Sequence, residues 1–111
     1  MFQYKCFEKA NSANSRSEQK ISATEVYKVL QVCSKKCVYC QSKLHPNDWH
    51  LDHFTSLSTG GKNIFENLVG SCSRCNLMKG SLDGWQFYSK CLSIVANFIY
   101  KGAMTKNIEN E

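Results

Sequence analysis

The chain has 111 residues, of which 42% are hydrophobic and 21% charged, and a formal charge of +5. That length allows one domain around a single modest core. There is no run of 18 apolar residues, which excludes a helical membrane span, and "MFQYKCFEKA" has no continuous apolar stretch, so no secretory signal is expected.

Taken in chain order, residues 9–20, "KANSANSRSEQK", are small and polar with no apolar period. Residues 1–20 are therefore expected to be a flexible segment ahead of one domain at 21–104. "ISATEVYKVLQVCSKK", residues 21–36, predicts a helix. Ser22 and Glu25 have capping-box spacing, Val26, Val29, Leu30 and Cys33 recur at helical intervals, and Lys35 and Lys36 suit a helix C-terminus. Residues 37–44 read as a tight knuckle and Pro46-Asn47-Asp48 as a turn. "WHLDHF", residues 49–54, sets Trp49, Leu51 and His53 against His50, Asp52 and Phe54, a strand alternation with Trp49 on the core side. Ser58 to Gly61 form a loop in which Gly60 and Gly61 turn the chain or approach a phosphate closely. Residues 67–72 predict a second strand and residues 73–80 a short helix. The longest periodic segment is an amphipathic helix at 83–101, with Trp85, Tyr88, Leu92, Val95 and Ile99 on one face and Phe87, Cys91, Ile94 and Phe98 widening it. It reads as a core helix covering the small sheet; the alternative is an interface in a homodimer through residues 85–99. Residues 105–111 read as a tail.

Seven cysteines are many for this length. The count is odd, and four of them form two C-x-x-C pairs, Cys37 with Cys40 and Cys72 with Cys75. This pattern fits metal ligation in a reducing cytoplasm better than disulfides. Two knuckles complete the closed tetrahedron of a structural zinc site, in which His45 and His50 are not expected to take part. Four thiolates around one Zn2+ leave two negative charges, which takes +5 to +3. The residual positive charge is compatible with a phosphate-bearing partner. Cys6, Cys33 and Cys91 read as small buried or partly exposed thiols.

Between the knuckles lie Asp52-His53 and Asn67, with Asn76 directly after Cys75. Phosphodiester hydrolysis needs an attacking water, a base and a cation. An imidazole takes protons near neutrality, which suits His53 to the base. Asp52 and Asn76 offer the hard oxygen ligands that magnesium or manganese prefers. Asn67 can orient the imidazole through its carbonyl, or close a loop by bonding the backbone. Lys62, Arg74 and Lys79 flank these residues and read either as DNA-backbone contacts or as solvated cations. His50 points away from His53 and reads as a surface or phosphate-facing residue.

The combination of "DH", "GG", "NL" and "C-x-x-C-N-x-x-K-G" over residues 37–81 resembles the HNH endonuclease family in its four-cysteine, zinc-bearing form. The resemblance implies an α+β fold with a ββα-metal core, stapled by the two-knuckle zinc site and flanked by N- and C-terminal helices. It implies His53 as general base, Asp52 as metal ligand, Asn67 as the residue orienting His53, and Asn76 as second ligand of the catalytic Mg2+ or Mn2+, where many members have histidine. The expected function is metal-dependent DNA cleavage. The alternatives are a zinc-stapled nucleic-acid-binding module without catalysis and an HNH subunit that needs a partner. The family core carries little base information, so target specificity is not readable here.

Overall fold

The computed structural model describes residues 2–110, with side-chain surroundings described for 3–101. Its elements are α1 (Cys6–Asn14), α2 (Ala23–Val32), β1 (Trp49–His53), β2 (Leu68–Cys72), α3 (Ser73–Lys79) and α4 (Gly84–Asn110), with short 3-10 turns at Phe2–Tyr4, Leu57–Thr59 and Phe65–Asn67. β1 and β2 pair antiparallel, His53 opposite Leu68 and Trp49 opposite Cys72. The architecture is α+β, with a two-stranded sheet followed directly by a helix. Among the described residues, no helix is long and apolar enough to cross a membrane.

The capping box of α2 forms as read: Ser22 Oγ accepts from Glu25 N at 3.1 Å and Glu25 Oε1 from Ser22 N at 3.0 Å. The helix stops at Val32, short of the expected Lys36, because Ser34 and Lys35 turn into the left-handed region at φ 54° and 57°. Val26, Val29 and Leu30 are buried.

The N-terminal segment departs most from expectation. Residues 6–14, expected to be flexible, form α1, whose Cys6, Ala10 and Ala13 are buried in the same core as Ile21, Leu30, Leu44, Trp49 and Leu51. These side chains recur at helical spacing but are small, so they carry almost no hydropathy signal. They pack because small residues let two helices approach. Trp49 ties this layer to β1. It is 1% exposed, and its indole N–H donates to Tyr4 O at 2.6 Å. Burying such a ring removes some 150–250 Å2 from water, about 4–6 kcal/mol before ordering costs.

The C-terminal helix also departs. Its start is well anchored: Asp83 and Gln86 cap each other's backbone N–H, Gly84 N donates to Phe54 O at 2.7 Å, and Tyr88 Oη donates to Val38 O at 2.9 Å. A Cβ on Gly84 would lie 2.0 Å from the Phe54 ring, so only glycine permits this approach. Phe87 is buried edge-on against Tyr39. Beyond this turn the expected core face is open, with Leu92 71%, Val95 53% and Ile99 62% exposed. α1, α2 and α3 pack on the sheet in its place. The helix runs to Asn110, past the expected 101 and through most of the expected 105–111 tail; Glu111 lies outside the described residues.

Candidate active site and metal centre

The knuckle between α2 and β1 and the one entering α3 bring Cys37, Cys40, Cys72 and Cys75 together, their sulfurs all within 4.8 Å of one another. Cys40 Sγ and Cys72 Sγ are 3.7 Å apart. This is close to the edge of a tetrahedron with metal–sulfur bonds of about 2.3 Å. The Cys75 N–H points at Cys72 Sγ, the local amide-to-sulfur contact that a C-x-x-C spacing produces. The Ser42 hydroxyl lowers the Cys40 thiol to about 6, whereas burial pushes the Cys75 thiol up. Four sulfurs this close cannot all ionise without a cation between them, and the set can hold a zinc ion. Among the described residues, neither His45 nor His50 belongs to this cluster.

On the other side of β1 lies a groove of about 840 Å3 whose walls include His50, Asp52 and His53 of β1, Asn76 and Lys79 of α3, and Lys9, Ser12 and Arg16 from the N-terminal segment. Three of the four residues expected at the centre, Asp52, His53 and Asn76, share this wall.

His53 is 5% exposed, and its Nε2 lies 2.9 Å from Oδ1 of Asn63. Asn63 is fully buried, and its Nδ2 donates to Asn14 Oδ1 and Gln19 O, both at 3.0 Å. Its oxygen must therefore face the imidazole, so Nε2 carries the hydrogen and donates. Nδ1 is left with the free lone pair.

Asn67, expected to orient His53, does something else. Its Nδ2 donates to Thr55 O at 2.9 Å and Lys62 O at 2.8 Å, and its Oδ1 accepts from Thr55 N at 2.8 Å. It clamps the two ends of the loop between the strands. Gly60, at φ +99°, turns that loop, and Gly61 passes so near Thr55 O that a Cβ there would lie 1.8 Å from it. The glycines thus shape the chain. Asn63, missed in the sequence, holds the imidazole; the one signal was a second asparagine four residues before Asn67 in the same loop.

Asp52 accepts from Tyr39 Oη at 2.6 Å and pairs with Lys79 Nζ at 3.2 Å. Burial, then the Asp52 carboxylate, pushes the Tyr39 phenol far up, so it stays a donor. Lys79 is 2% exposed and also donates to His53 O at 3.2 Å. It was expected on the DNA backbone, but its ammonium is already committed to the β1 strand end. Lys79 sits four residues after Cys75 on α3, and this spacing turns both inward. Lys62 and Arg74 are exposed. The side chain of Asn76 makes no hydrogen bond among the described residues and lines the same groove as Asp52. Its amide oxygen and the carboxylate are a hard donor pair that fits a magnesium-like cation.

Lys9 and Arg16, on the groove's N-terminal wall, were also missed because that segment read as flexible. Lys9 Nζ stands 5.5 Å from the Trp49 ring centroid. Burial, then the charge of Lys9, lowers the His50 imidazole, so it faces the groove as a neutral group near neutral pH.

Three comparisons with known proteins bear on this geometry. The family model of HNH endonucleases matches residues 37–82. No curated protein matches. Among solved structures, the Type II-C Cas9 enzyme from Actinomyces naeslundii matches with a TM-score of 0.55 and 26% identity over 73% of this chain. The match spans 9% of that enzyme's chain. Residues 37–82, with their paired strands, following helix and four-cysteine cluster, are thus a domain of the HNH endonuclease family.

Proposed function

We propose that this chain hydrolyses DNA phosphodiester bonds, with His53 as general base. The observation that carries this is the shared groove wall of Asp52, His53 and Asn76, with the imidazole's Nε2 already committed to Asn63. A binding module has no use for a buried imidazole whose free lone pair is defined in this way. His53 Nδ1 takes the proton of the attacking water as the water's oxygen bonds to phosphorus. The bond from phosphorus to the 3′-oxygen breaks, leaving a 5′-phosphate and a 3′-alkoxide that takes a proton from solvent to become the 3′-hydroxyl. Asp52 and Asn76 are the residues that would hold a divalent cation, which when bound supplies Lewis-acid stabilisation of the phosphate and leaving oxygens. Tyr39 and Lys79 fix the carboxylate's position. Two protein ligands make for weak metal binding in the absence of DNA. Lys9 and Arg16 across the groove, with Lys62 and Arg74 outside it, are placed to meet the phosphate backbone. The zinc site does no chemistry: it fixes α3 to the sheet, and α3 carries Asn76 and Lys79.

The test is nicking of supercoiled plasmid by wild type and His53→Ala, each with magnesium, manganese or no added metal. Metal-dependent nicking by the wild type alone supports the assignment. Equal nicking by both proteins removes His53 from the mechanism, and no nicking by either, with zinc bound, favours the binding module.

A second reading concerns assembly. The exposed apolar side chains of α4, Leu92, Phe98 and Ile99 among them, favour a subunit that pairs with a second copy of itself along this helix. One site per chain makes a nick, so such a dimer would suit a double-strand cut.

A further inference from the structure

The polar chain behind His53 does not end at Asn63. Asn14, the last residue of α1, accepts from Asn63 Nδ2 through its Oδ1 at 3.0 Å. Its own orientation is locked by the backbone of Ile21: Ile21 N donates to its Oδ1 at 2.9 Å, and its Nδ2 donates to Ile21 O at 2.9 Å. A main-chain N–H and C=O cannot exchange places, so the Asn14 amide has one orientation. Asn14 Oδ1 can then only receive a hydrogen, which dictates that Asn63 presents Nδ2 to it and Oδ1 to His53. The amide groups of Asn63 and Asn14 are fully engaged along this path, and among the described residues no buried side-chain nitrogen or oxygen lacks a partner. Asn14 lies outside the segment 37–82 that matches the HNH family.

We propose that Asn14 is a positioning residue for His53: by fixing which way the Asn63 amide faces, it sets the imidazole tautomer and leaves Nδ1 as the basic nitrogen. The first helix is thereby part of the active site's working structure and not only a cover for the core. The catalytic half of this inference rests on the nuclease reading; the structural half does not. Were the Asn63 amide turned over, it would donate to Nε2, the proton would move to Nδ1, and the lone pair that faces water would be lost. The Gln19 carbonyl also opposes that turn, so removing Asn14's oxygen weakens the preference without abolishing it.

The experiment is long-range 15N–1H NMR of the imidazoles, which reports tautomer directly; with only three histidines in the chain, His53 is assigned by comparison with His53→Ala. It is run on zinc-loaded wild type, Asn14→Leu and Asn14→Asp. Wild type is expected in the Nε2–H form. Asn14→Leu, similar in shape but without the acceptor, is expected to show a measurable Nδ1–H population. In the plasmid assay its kcat is expected to fall in proportion to the Nε2–H fraction lost, by up to about twofold while that form stays in the majority, with DNA affinity unchanged. Asn14→Asp keeps the oxygen that faces Asn63 but sets its second oxygen against Ile21 O, acceptor to acceptor, so it is expected to be less stable and to retain the Nε2–H form. Either an Nδ1–H wild type or an unchanged tautomer in folded Asn14→Leu overturns the proposal. If Asn14→Leu loses its zinc and does not fold, Asn14→Asp decides: an Nδ1–H form there is equally fatal. A tautomer switch in a protein that never cuts DNA would reject the nuclease reading and leave the positioning role standing.

Discussion

Replacing Asn67 by alanine separates two roles that the sequence leaves open. In the structure the Asn67 side chain makes three hydrogen bonds, to Thr55 N, Thr55 O and Lys62 O, and none to His53. The region is partly buried, so water replaces the lost partners only in part. At about 1 kcal/mol net for each bond, Asn67→Ala should cost about 3 kcal/mol. For a domain of this size that lowers Tm by about 12–24 °C. The assay is thermal unfolding followed by circular dichroism, with zinc held constant so that metal loss does not set the midpoint. The same variant, assayed well below its own Tm, should keep most of its nicking activity and its His53 tautomer, because Asn63 still holds the ring. An unchanged Tm combined with a collapse of kcat would refute this reasoning and return Asn67 to the imidazole.

Other expectations follow from the same geometry. Purified, reduced protein should hold one zinc per chain; Cys72→Ser, or a strong chelator, should unfold it, and a soluble variant with unchanged Tm would remove the metal from the fold's stability. Lys79→Met takes the ion partner from the half-buried Asp52 carboxylate and should destabilise by about 1.5–3 kcal/mol in denaturant melts, while the salt dependence of DNA binding stays as it was. Arg16→Ala should do the reverse, leaving stability within about 0.5 kcal/mol and reducing the log–log salt slope by about one; a slope that moves with Lys79 and not with Arg16 would invert the assignment of the groove's cations. If α4 pairs two copies, light scattering should give twice the monomer mass for wild type and the monomer mass for Phe98→Glu, and a monomer in both would dismiss the dimer.

What the sequence determined by itself is what depends on short-range spacing. The two C-x-x-C knuckles, the Ser22–Glu25 cap and the alternation that buries Trp49, Leu51 and His53 are set within a few residues, and each forms where it was read. Asp52, His53 and Asn76 fall on one groove wall because a strand, a clamped loop, a second strand and a short helix of those lengths return the chain beside itself. What only the tertiary structure decided is which partner each polar group meets. Two asparagines four residues apart in one loop look alike as letters; the path between Phe54 and Asn67 puts Asn63 under the imidazole and Asn67 on the backbone. Lys79 looks like a surface cation until α3 is seen to turn it onto Asp52. The amphipathic stripe of α4 says that a face is apolar but not what covers it, and the sheet it was expected to cover is taken by α1, α2 and α3. Conversely α1, whose contacts run through cysteine and alanine, has too little apolar area to register as a period, yet Asn14 at its end reaches Asn63, the residue that holds the His53 imidazole. Hydropathy periodicity measures the transfer of side chains from water; it does not register close packing of small residues or the direction of an amide, and the setting of His53 in this chain depends on both.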